Sequence, residues 1–425
     1  MGFETIIGYE EEKNELKRLA DILANTEKYH ALGVETPRGL LLEGEPGLGK
    51  TTMALALIEE SGRPVFRLRK EKTDGDFVEA IRKTFADAVA GAPSIVFLDD
   101  MDKFANEDEH HRNAAEYVTI QSLIDECRGK EVFVLATANE TDCLPGSLLR
   151  VGRFDKSLTI EAPNHKDAAE IVRHYLKKKK AVSPDVDAEE ISRIMHGKSC
   201  AELETVINEA GINAGFANKE RIDMDDIVKA CLRILYEAPD TMNSEDRYAE
   251  VVAYHEAGHA VINELLEPDS VNLVSIATHK GSIGGITSYF QNENYFKDIR
   301  FMENRVKGLL GGKAASEIVF GKVDVGTSSD LRRAFAIAER FVDHYCSYGF
   351  GQFSGNTNGQ DLLNRKDIAI EFEMARMYND TKRMLIENRE FLDRIAKALL
   401  EKKTILRSDI AAIRATCTGK TGQAA

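Results

Sequence analysis

A short stretch in the second half of the chain has the residue types and spacing of a catalytic zinc site. It is His255-Glu256-Ala-Gly258-His259, the pattern H-E-x-x-H. On a helix, positions i and i+4 share one face, so both imidazoles can bind one Zn²⁺. Glu256 can accept a proton from water at the metal. Gly258 costs about 1 kcal/mol in a helix relative to alanine, which indicates close packing or substrate access beside the ligands.

A catalytic zinc site also needs a third protein ligand and an open coordination position. The downstream side chains that can supply this ligand are His279, Glu303, Glu317, Asp330 and His344. Spacing alone does not choose among them.

A glycine-rich loop near residue 45 predicts a nucleotide site. It matches the pattern G-x-x-x-x-G-K-[ST] between a predicted strand and a predicted helix, which is the context that this motif requires. The segment is Gly44-Glu45-Pro46-Gly47-Leu48-Gly49-Lys50-Thr51-Thr52. Its glycines allow backbone N–H groups to surround phosphates, Lys50 can reach the β- and γ-phosphates, and Thr51 can hold Mg²⁺. The loop therefore predicts binding of ATP with magnesium.

Polar residues after two later apolar runs complete this nucleotide site. Asp99 would coordinate Mg²⁺, Asp100 would orient or deprotonate the attacking water, and Asn139 could position that water. All three follow predicted strands, and ligands of such folds bind at the carboxyl ends of strands. Arg150 and Arg153 are candidate arginine fingers toward a neighbouring subunit, although two plain surface arginines explain them equally well.

The elements that must position these residues change in type along the chain. Apolar runs at 39–42, 65–68, 95–98 and 132–136 suit strands buried on both faces, and helical patterns at 51–60, 77–90 and 114–127 separate them. This alternation predicts an α/β domain with a parallel sheet over residues 1–162. The segments 167–179, 188–195, 201–217 and 224–235 are purely helical, which predicts a separate helical subdomain over 163–238.

The remaining residues predict a mainly α-helical metallopeptidase domain over 239–415, followed by a disordered tail at 416–425. A helix over 248–266 carries the histidine pair, and a β-branched stretch over 271–286 indicates a small sheet or hairpin. Further helical patterns cover 301–320, 330–345, 366–388 and 391–402.

Composition indicates which classes of partner and which compartment suit the chain. The 425 residues include 56 Lys and Arg against 71 Asp and Glu, a formal charge of -15, which argues against nucleic acid as the main partner. The six cysteines are scattered without a C-x-x-C pair, which favours a reducing compartment. No apolar run approaches the ~20 residues that span a bilayer. We therefore expect a cytoplasmic protein without a membrane segment.

Several motifs, in order from Phe3 to about Leu400, resemble the FtsH family of AAA+ zinc proteases. They are Phe3-Glu-Thr-Ile-Ile7-Gly8, Thr36-Pro-Arg-Gly-Leu-Leu-Leu, Ser147-Leu-Leu-Arg150-Val-Gly-Arg153-Phe-Asp, Val252-Ala-Tyr-His-Glu-Ala-Gly-His-Ala, Leu310-Gly-Gly-Lys-Ala-Ala-Ser-Glu-Ile-Val-Phe-Gly321 and Gly326-Thr-Ser-Ser-Asp330-Leu. The resemblance implies that Asp330 is the third zinc ligand and that Ile7 and Gly8 contact the nucleotide. It also implies that Arg150 and Arg153 act across the interface of a homohexamer.

Three features depart from the family pattern. The family carries transmembrane helices before the motor, so a missing N-terminal anchor would make the protein membrane-associated. The family has Asp-Glu where this chain has Asp99-Asp100, and Asp100 is one methylene shorter. The family's aromatic pore loop is not evident in the charged stretch 67–77, where Phe66 or Phe77 could substitute.

The predicted function is ATP-dependent zinc endoproteolysis, in which a hexameric ring unfolds, translocates and degrades unfolded or loosely folded proteins. One alternative is an AAA+ remodelling ATPase with a weak or vestigial peptidase, against which the intact zinc residues speak. The other is a zinc peptidase with only a regulatory nucleotide site, which Asp100 and the altered pore loop favour.

Overall fold

Apolar strands that alternate with amphipathic helices build a parallel sheet in the first half of the chain. The computed structural model describes residues 2–70, 77–105, 114–150, 152–237, 248–277, 284–290, 298–322, 325–343 and 360–417. The chain divides into two units, Met1–Asp223 and Met224–Ala425.

The described residues of the first unit form five strands and eight α-helices. In chain order these are α1 (Glu10–Ala24), α2 (Thr26–His30), β1 (Gly39–Glu43), α3 (Lys50–Ser61), β2 (Val65–Leu68), α4 (Phe77–Ala90), β3 (Ser94–Leu98), α5 (Ala115–Glu126), β4 (Val132–Ala138), β5 (Lys156–Thr159), α6 (His165–Lys177), α7 (Ala188–Ile194) and α8 (Cys200–Phe216). The strands are all parallel, in the order β2-β3-β4-β1-β5. The predicted α/β class is therefore confirmed.

The register of this sheet brings the predicted nucleotide residues to one edge. Leu98 pairs with Leu68 on one side and with Ala136 on the other, so Asp99 and Asn139 both follow the carboxyl ends of neighbouring strands. β1 ends at the same edge, directly before the glycine-rich loop. A buried cluster anchors the sheet from α4 and α5, including Phe85, Tyr117 and Ile120.

Two features of the sheet differ from the sequence prediction. The run at 65–68 is not buried on both faces: β2 is an edge strand, and Val65 and Arg67 are exposed. The sequence does not predict β5, because Lys156-Ser-Leu-Thr159 is short and largely polar. This segment forms a strand only through its pairing with β1. Both strands close the sheet at its two ends.

The helices after the sheet begin at local capping residues. Asn164 accepts a hydrogen bond of 3.0 Å from the backbone N–H of Asp167 at the start of α6. Ser199 and Glu202 form a reciprocal capping box at the start of α8, with Ser199 N–H donating to Glu202 Oε2 at 2.8 Å. Such pairs satisfy the free N–H groups of a helix start. The predicted helices at 167–179, 188–195 and 201–217 are confirmed as α6, α7 and α8.

The second unit is mainly helical, as predicted. Its described elements are α9 (Met224–Tyr236), α10 (Ala249–Leu266), β6 (Val271–Ser275), β7 (Ile286–Tyr289), α11 (Ile299–Phe320), α12 (Ser328–Asp343), α13 (Gln360–Glu387), α14 (Arg389–Lys402), β8 (Thr404–Leu406) and α15 (Arg407–Thr416). The strands form an antiparallel sheet in the order β7-β6-β8. The sequence did not predict β8, whose three residues are too few to show a period. α9, which the sequence predicts within the helical subdomain 163–238, belongs to the second unit by its contacts. Residue 238, the expected boundary, and most of the expected tail lie outside the described residues.

A close crossing of α10 and α11 holds this unit together. A Cβ atom placed on Gly258 would lie 2.3 Å from the carbonyl oxygen of Gly311, and one on Gly311 would lie 2.5 Å from that of Gly258. The mid-helix glycine of the zinc motif therefore serves close packing, one of the two uses that its position indicated. Within the described residues, no helix has both the length and the apolar character to cross a membrane.

Candidate zinc and nucleotide sites

Two helices bring three possible zinc ligands together. His255 and His259 lie on successive turns of α10, and their Nε2 atoms are 3.1 Å apart. Asp330, in the first turn of α12, places Oδ2 at 3.4 Å from each Nε2. Ligands at 2.0–2.1 Å from a tetrahedral zinc are separated by about 3.3 Å, so the three atoms fit one ion.

The surroundings of these ligands also fit a metal. His259 Nδ1 lies 2.7 Å from the carbonyl oxygen of Gly308, an acceptor that fixes the proton on Nδ1 and leaves the Nε2 lone pair for a ligand. A Cβ on Gly312 would lie 2.5 Å from Nε2 of both histidines, so only glycine leaves room for the cluster.

The other possible third ligands among the described residues are engaged elsewhere. Glu303 accepts a hydrogen bond of 2.5 Å from Arg376. Glu317 accepts hydrogen bonds from Tyr378 and from Lys382, the latter at 3.0 Å. His279 and His344, the remaining possibilities, lie outside the described residues.

The charge state of Asp330 suits a ligand. Burial alone would raise the pKa of this carboxyl. When their Nε2 atoms are protonated, the hydrogen bonds and charges of His255 and His259 outweigh burial and hold its pKa well below the usual range. Asp330 is therefore an anion at neutral pH, as a zinc ligand must be.

Glu256 is buried beside these ligands, and β7 fixes its side chain. Thr287 donates a hydrogen bond of 2.7 Å from its hydroxyl to Glu256 Oε2. On the same side, a Cβ on Gly285 would lie 2.3 Å from Glu256 Cγ. The carboxylate of Glu256 is thus confined between the zinc helix and the edge strand of the small sheet.

Glu256 and the three ligands line a cavity of about 1020 Å³ in the second unit. Residues of β7 line the same cavity, and β7 is the outer strand of its sheet. The guanidinium of Arg305 stacks over the ring of Tyr289 in this lining, at 5.1 Å from the ring centroid. The volume lies at the upper end of the range of small-molecule pockets, about 300–1,000 Å³, which is enough room for a short stretch of peptide.

In the first unit, the glycine-rich loop joins β1 to α3. Gly44, Gly47 and Gly49 all have positive φ angles, of 144°, 81° and 91°, which glycine adopts without strain. Lys50 Nζ donates to the carbonyl oxygen of Gly44 at 2.6 Å and to Asn139 Oδ1 at 2.8 Å. The structure therefore brings the predicted phosphate lysine and Asn139 together.

Asp99 lies at the centre of the predicted magnesium site. Its Oδ1 accepts hydrogen bonds from Thr51 at 3.1 Å and from Thr137 at 3.0 Å. Thr51 and Asp99, the two predicted magnesium residues, are thus in contact. Hydroxyl and carboxylate oxygens are ligands that Mg²⁺ prefers, so this pair fits the ion.

Asp100 follows in a left-handed conformation, with φ of 56°. Its Oδ2 accepts a hydrogen bond of 3.2 Å from Arg69 and lies 3.0 Å from Lys103 Nζ. The predicted water-activating carboxylate is therefore paired with two cations.

Tyr9, the residue after the predicted nucleotide contacts Ile7 and Gly8, is linked to the phosphate loop through α8. Its hydroxyl oxygen lies 3.5 Å from Cys200 Sγ, and that sulfur lies 3.9 Å from the carbonyl oxygen of Leu48. Gly47 accepts a hydrogen bond of 3.1 Å from the N–H of Ala201. The sequence did not identify these α8 residues, because nothing in Ser199-Cys200-Ala201 marks a contact with a loop so distant in the chain.

The remaining predicted nucleotide residues differ in their surroundings. Thr52 is exposed in the first turn of α3. Arg150 is exposed in the segment between β4 and β5. Arg153 is paired with Asp125 at 2.9 Å within its own unit.

The predicted substitutes for the pore aromatic are packed within the first unit. Phe77 stacks edge-on against Phe104 at 4.9 Å, and Phe66 is half-buried against the same core. Residues 71–76, the middle of the stretch in which a pore loop was sought, lie outside the described residues.

A phosphate-loop ATPase and a zinc metallopeptidase on one chain define an ATP-dependent metalloprotease. Family models agree: the model of the ATPase family associated with various cellular activities (AAA) matches residues 40–162, and that of peptidase family M41 matches residues 241–413.

Individual relatives resemble this chain over nearly its whole length. ATP-dependent zinc metalloprotease FtsH 2 of Thermoanaerobacter sp. (strain X514) is 31% identical over 96% of this chain and 82% of its own length. ATP-dependent zinc metalloprotease FtsH of Aster yellows witches'-broom phytoplasma (strain AYWB) is 34% identical over 97% of this chain but 64% of its own length. The chain belongs to the FtsH family of ATP-dependent zinc metalloproteases.

Proposed function

We propose that this chain is an ATP-dependent zinc endopeptidase that unfolds, translocates and degrades polypeptides as a homohexamer. The observation that carries the proposal is the convergence of His255, His259 and Asp330 with buried Glu256 on one large cavity. The same chain holds a complete phosphate loop, whose Thr51 contacts Asp99. The proposed domains are a nucleotide-binding domain over 1–162, a helical lid over 163–238 and a peptidase domain over 239–415.

In the peptidase domain, His255, His259 and Asp330 would hold zinc. Zinc, when bound, polarises a peptide carbonyl and acidifies water. Glu256 accepts the proton of the attacking water, and Thr287 keeps the carboxylate in place for that transfer. Residues of β7 line the cavity, and within the described part of the chain this strand ends its sheet, so its outer backbone groups can orient an extended substrate.

In the motor domain, the loop from Gly44 to Thr52 would cradle the phosphates of ATP, and Thr51 and Asp99 would hold Mg²⁺. Ile7 and Gly8 would contact the nucleotide, and Asn139 and Asp100 would position the attacking water. Arg150, which is exposed, is the better placed of the two arginine fingers, because Arg153 must first leave Asp125.

The test is degradation of casein, an unfolded protein, with zinc present and with or without ATP. We expect degradation only with ATP, from particles with the mass of a hexamer. Glu256→Gln should abolish cleavage and leave ATP hydrolysis intact. Lys50→Ala should abolish casein degradation but preserve part of the cleavage of a short peptide, which needs no unfolding. Casein degradation by Glu256→Gln would rule out the proposed chemistry.

A second candidate function is a zinc peptidase with a merely regulatory nucleotide site. The pairing of Asp100 with Arg69 and Lys103 favours it, because both cations contact the carboxylate oxygen that would have to face the attacking water. It predicts that casein is degraded equally with and without ATP, and that Lys50→Ala leaves peptide cleavage unchanged.

A further inference from the structure

The edge strand β2 places two arginines beside the predicted magnesium site. Arg67 and Arg69 are two positions apart, so their side chains leave the same face of an extended segment. The parallel pairing sets Arg67 opposite Phe97 and Leu68 opposite Leu98, and the N–H of Asp99 donates to the carbonyl oxygen of Leu68 at 2.9 Å. This register brings the two guanidinium groups to the carboxylates that follow β3.

Arg67 makes the closest of these contacts. Its Nη2 donates a hydrogen bond of 2.5 Å to Asp99 Oδ2, and its guanidinium stacks over the ring of Phe97 at 5.4 Å. Arg69 Nη1 lies 3.9 Å from the same oxygen of Asp99. The other oxygen of Asp99 already accepts the bonds from Thr51 and Thr137. Both oxygens of this carboxylate are therefore engaged, one of them by a cation.

Arg67 is in close contact with Asp99, but its side chain is free to leave that carboxylate. Asp99 is only 1% exposed, whereas the side chain of Arg67 is 44% exposed. Among the described residues, the side chain of Arg67 has no second carboxylate within ion-pair distance. Arg67 can therefore turn into water, while Asp99 has to stay.

We propose that Arg67 competes with Mg²⁺ for Asp99, with Arg69 in support, and thereby sets the Mg²⁺ concentration at which the site binds nucleotide. The inference rests on the proposed nucleotide site and adds to it a residue that weakens metal binding. A guanidinium and a divalent cation repel each other, and both draw on the charge of the same buried carboxylate, Arg67 at Oδ2 and the magnesium pair at Oδ1, so occupancy by one disfavours the other.

Binding of a fluorescent ADP analogue, measured against Mg²⁺ concentration, tests the proposal without hydrolysis or proteolysis. Arg67→Gln removes the charge but keeps a polar side chain of similar reach. We expect its half-saturating Mg²⁺ concentration to fall about threefold, the scale of a partly exposed ion pair. In Arg67→Lys the half-saturating Mg²⁺ concentration should fall less than in Arg67→Gln. Lysine keeps the positive charge and loses only the planar, two-pronged donor geometry of arginine.

The matched control is Arg82→Gln, which removes the same charge from an exposed position of α4. It should leave the half-saturating Mg²⁺ concentration unchanged. Arg69→Gln should shift it in the same direction as Arg67→Gln but less, because its guanidinium is farther from Asp99. Arg69→Gln also carries the test if Arg67→Gln does not fold.

An unchanged or higher Mg²⁺ requirement in the Arg67 and Arg69 variants would overturn the inference, because the arginines would then be neutral toward the metal or assist it. An equal fall in Arg82→Gln would also overturn it, since the effect would reflect net charge alone. If the parent protein binds no fluorescent ADP at any Mg²⁺ concentration, the nucleotide site itself has failed, which is a separate outcome.

Discussion

Thr287 and Glu256 are joined by two contacts from one hydroxyl. The oxygen of Thr287 lies 2.7 Å from Glu256 Oε2 and 3.2 Å from the main-chain oxygen of the same residue. The edge strand β7 therefore holds both the side chain and the backbone of the proposed general base. A shift of β7 would therefore move Glu256 or break its contacts with Thr287.

Thr287→Val should slow peptide cleavage without removing the metal. The substitution keeps the shape of the side chain and deletes only the hydroxyl. A hydrogen bond to a charged group contributes about 1.5–3 kcal/mol, so the loss predicts a fall in kcat of about tenfold or more. The measurements are the kinetics of fluorogenic-peptide cleavage and the zinc content per subunit.

Thr287→Ser is the matched control, since it restores the donor, and it should recover most of the rate. A full rate in Thr287→Val would show that the hydrogen bond does not position Glu256. Loss of zinc in that variant would assign Thr287 to the stability of the site instead.

The sequence predicted those parts of the sites whose geometry is local. His255 and His259 are one helical turn apart, and the phosphate loop is one continuous segment, so secondary structure alone brings their residues together. Asp330 reaches the histidines only through the packing of α12, and spacing could not select it. Thr287 gave no signal at all, because a threonine in a strand is ordinary.

The strands that were missed or misjudged show the same limit. The residues of β8 belong to a sheet only because β6 lies beside them, and the polar pattern of β5 resembles a loop. The prediction that residues 65–68 form a strand buried on both faces is wrong because Arg67 lies on an edge strand, where charged side chains remain in water. The contact between Arg67 and Asp99 depends on the pairing of β2 with β3, which the sequence does not show.

Gly312→Ala should remove zinc from the peptidase. The new methyl carbon would lie 2.5 Å from Nε2 of both His255 and His259, where a ligand atom must face the metal. The imidazoles would have to turn away, so we expect less zinc per subunit and loss of peptide cleavage. Zinc content by mass spectrometry, after gentle purification, measures the effect.

Gly215→Ala is the control for this change, because a Cβ there meets no atom within 4 Å. It should retain zinc and activity. If Gly312→Ala bound zinc as tightly as the parent, the close contact between α11 and the ligands would not matter for the metal.

Gly258→Ala should destabilise the second unit, even though alanine is the better helix former. Alanine gains about 1 kcal/mol of helix propensity over glycine. At this crossing, however, its Cβ would lie 2.3 Å from the carbonyl oxygen of Gly311 and 2.6 Å from the Cβ of Ala315. A backbone carbonyl cannot rotate away from the new methyl group as a flexible side chain can. The clash therefore forces α10 and α11 apart. Overpacking of this kind costs about 1–3 kcal/mol, and parting the helices also removes contacts along their length.

The expected result of Gly258→Ala is therefore a net loss of stability, measured as a lower denaturant midpoint for the second unit. Gly211→Ala makes the same substitution in the middle of α8, where the nearest atom, Ile222 Cδ1, is an ordinary 3.6 Å away. That variant should be as stable as the parent or slightly more so. If Gly258→Ala were equally stable, α10 and α11 would have room to spare, and the glycine of the zinc motif would have to serve substrate access instead.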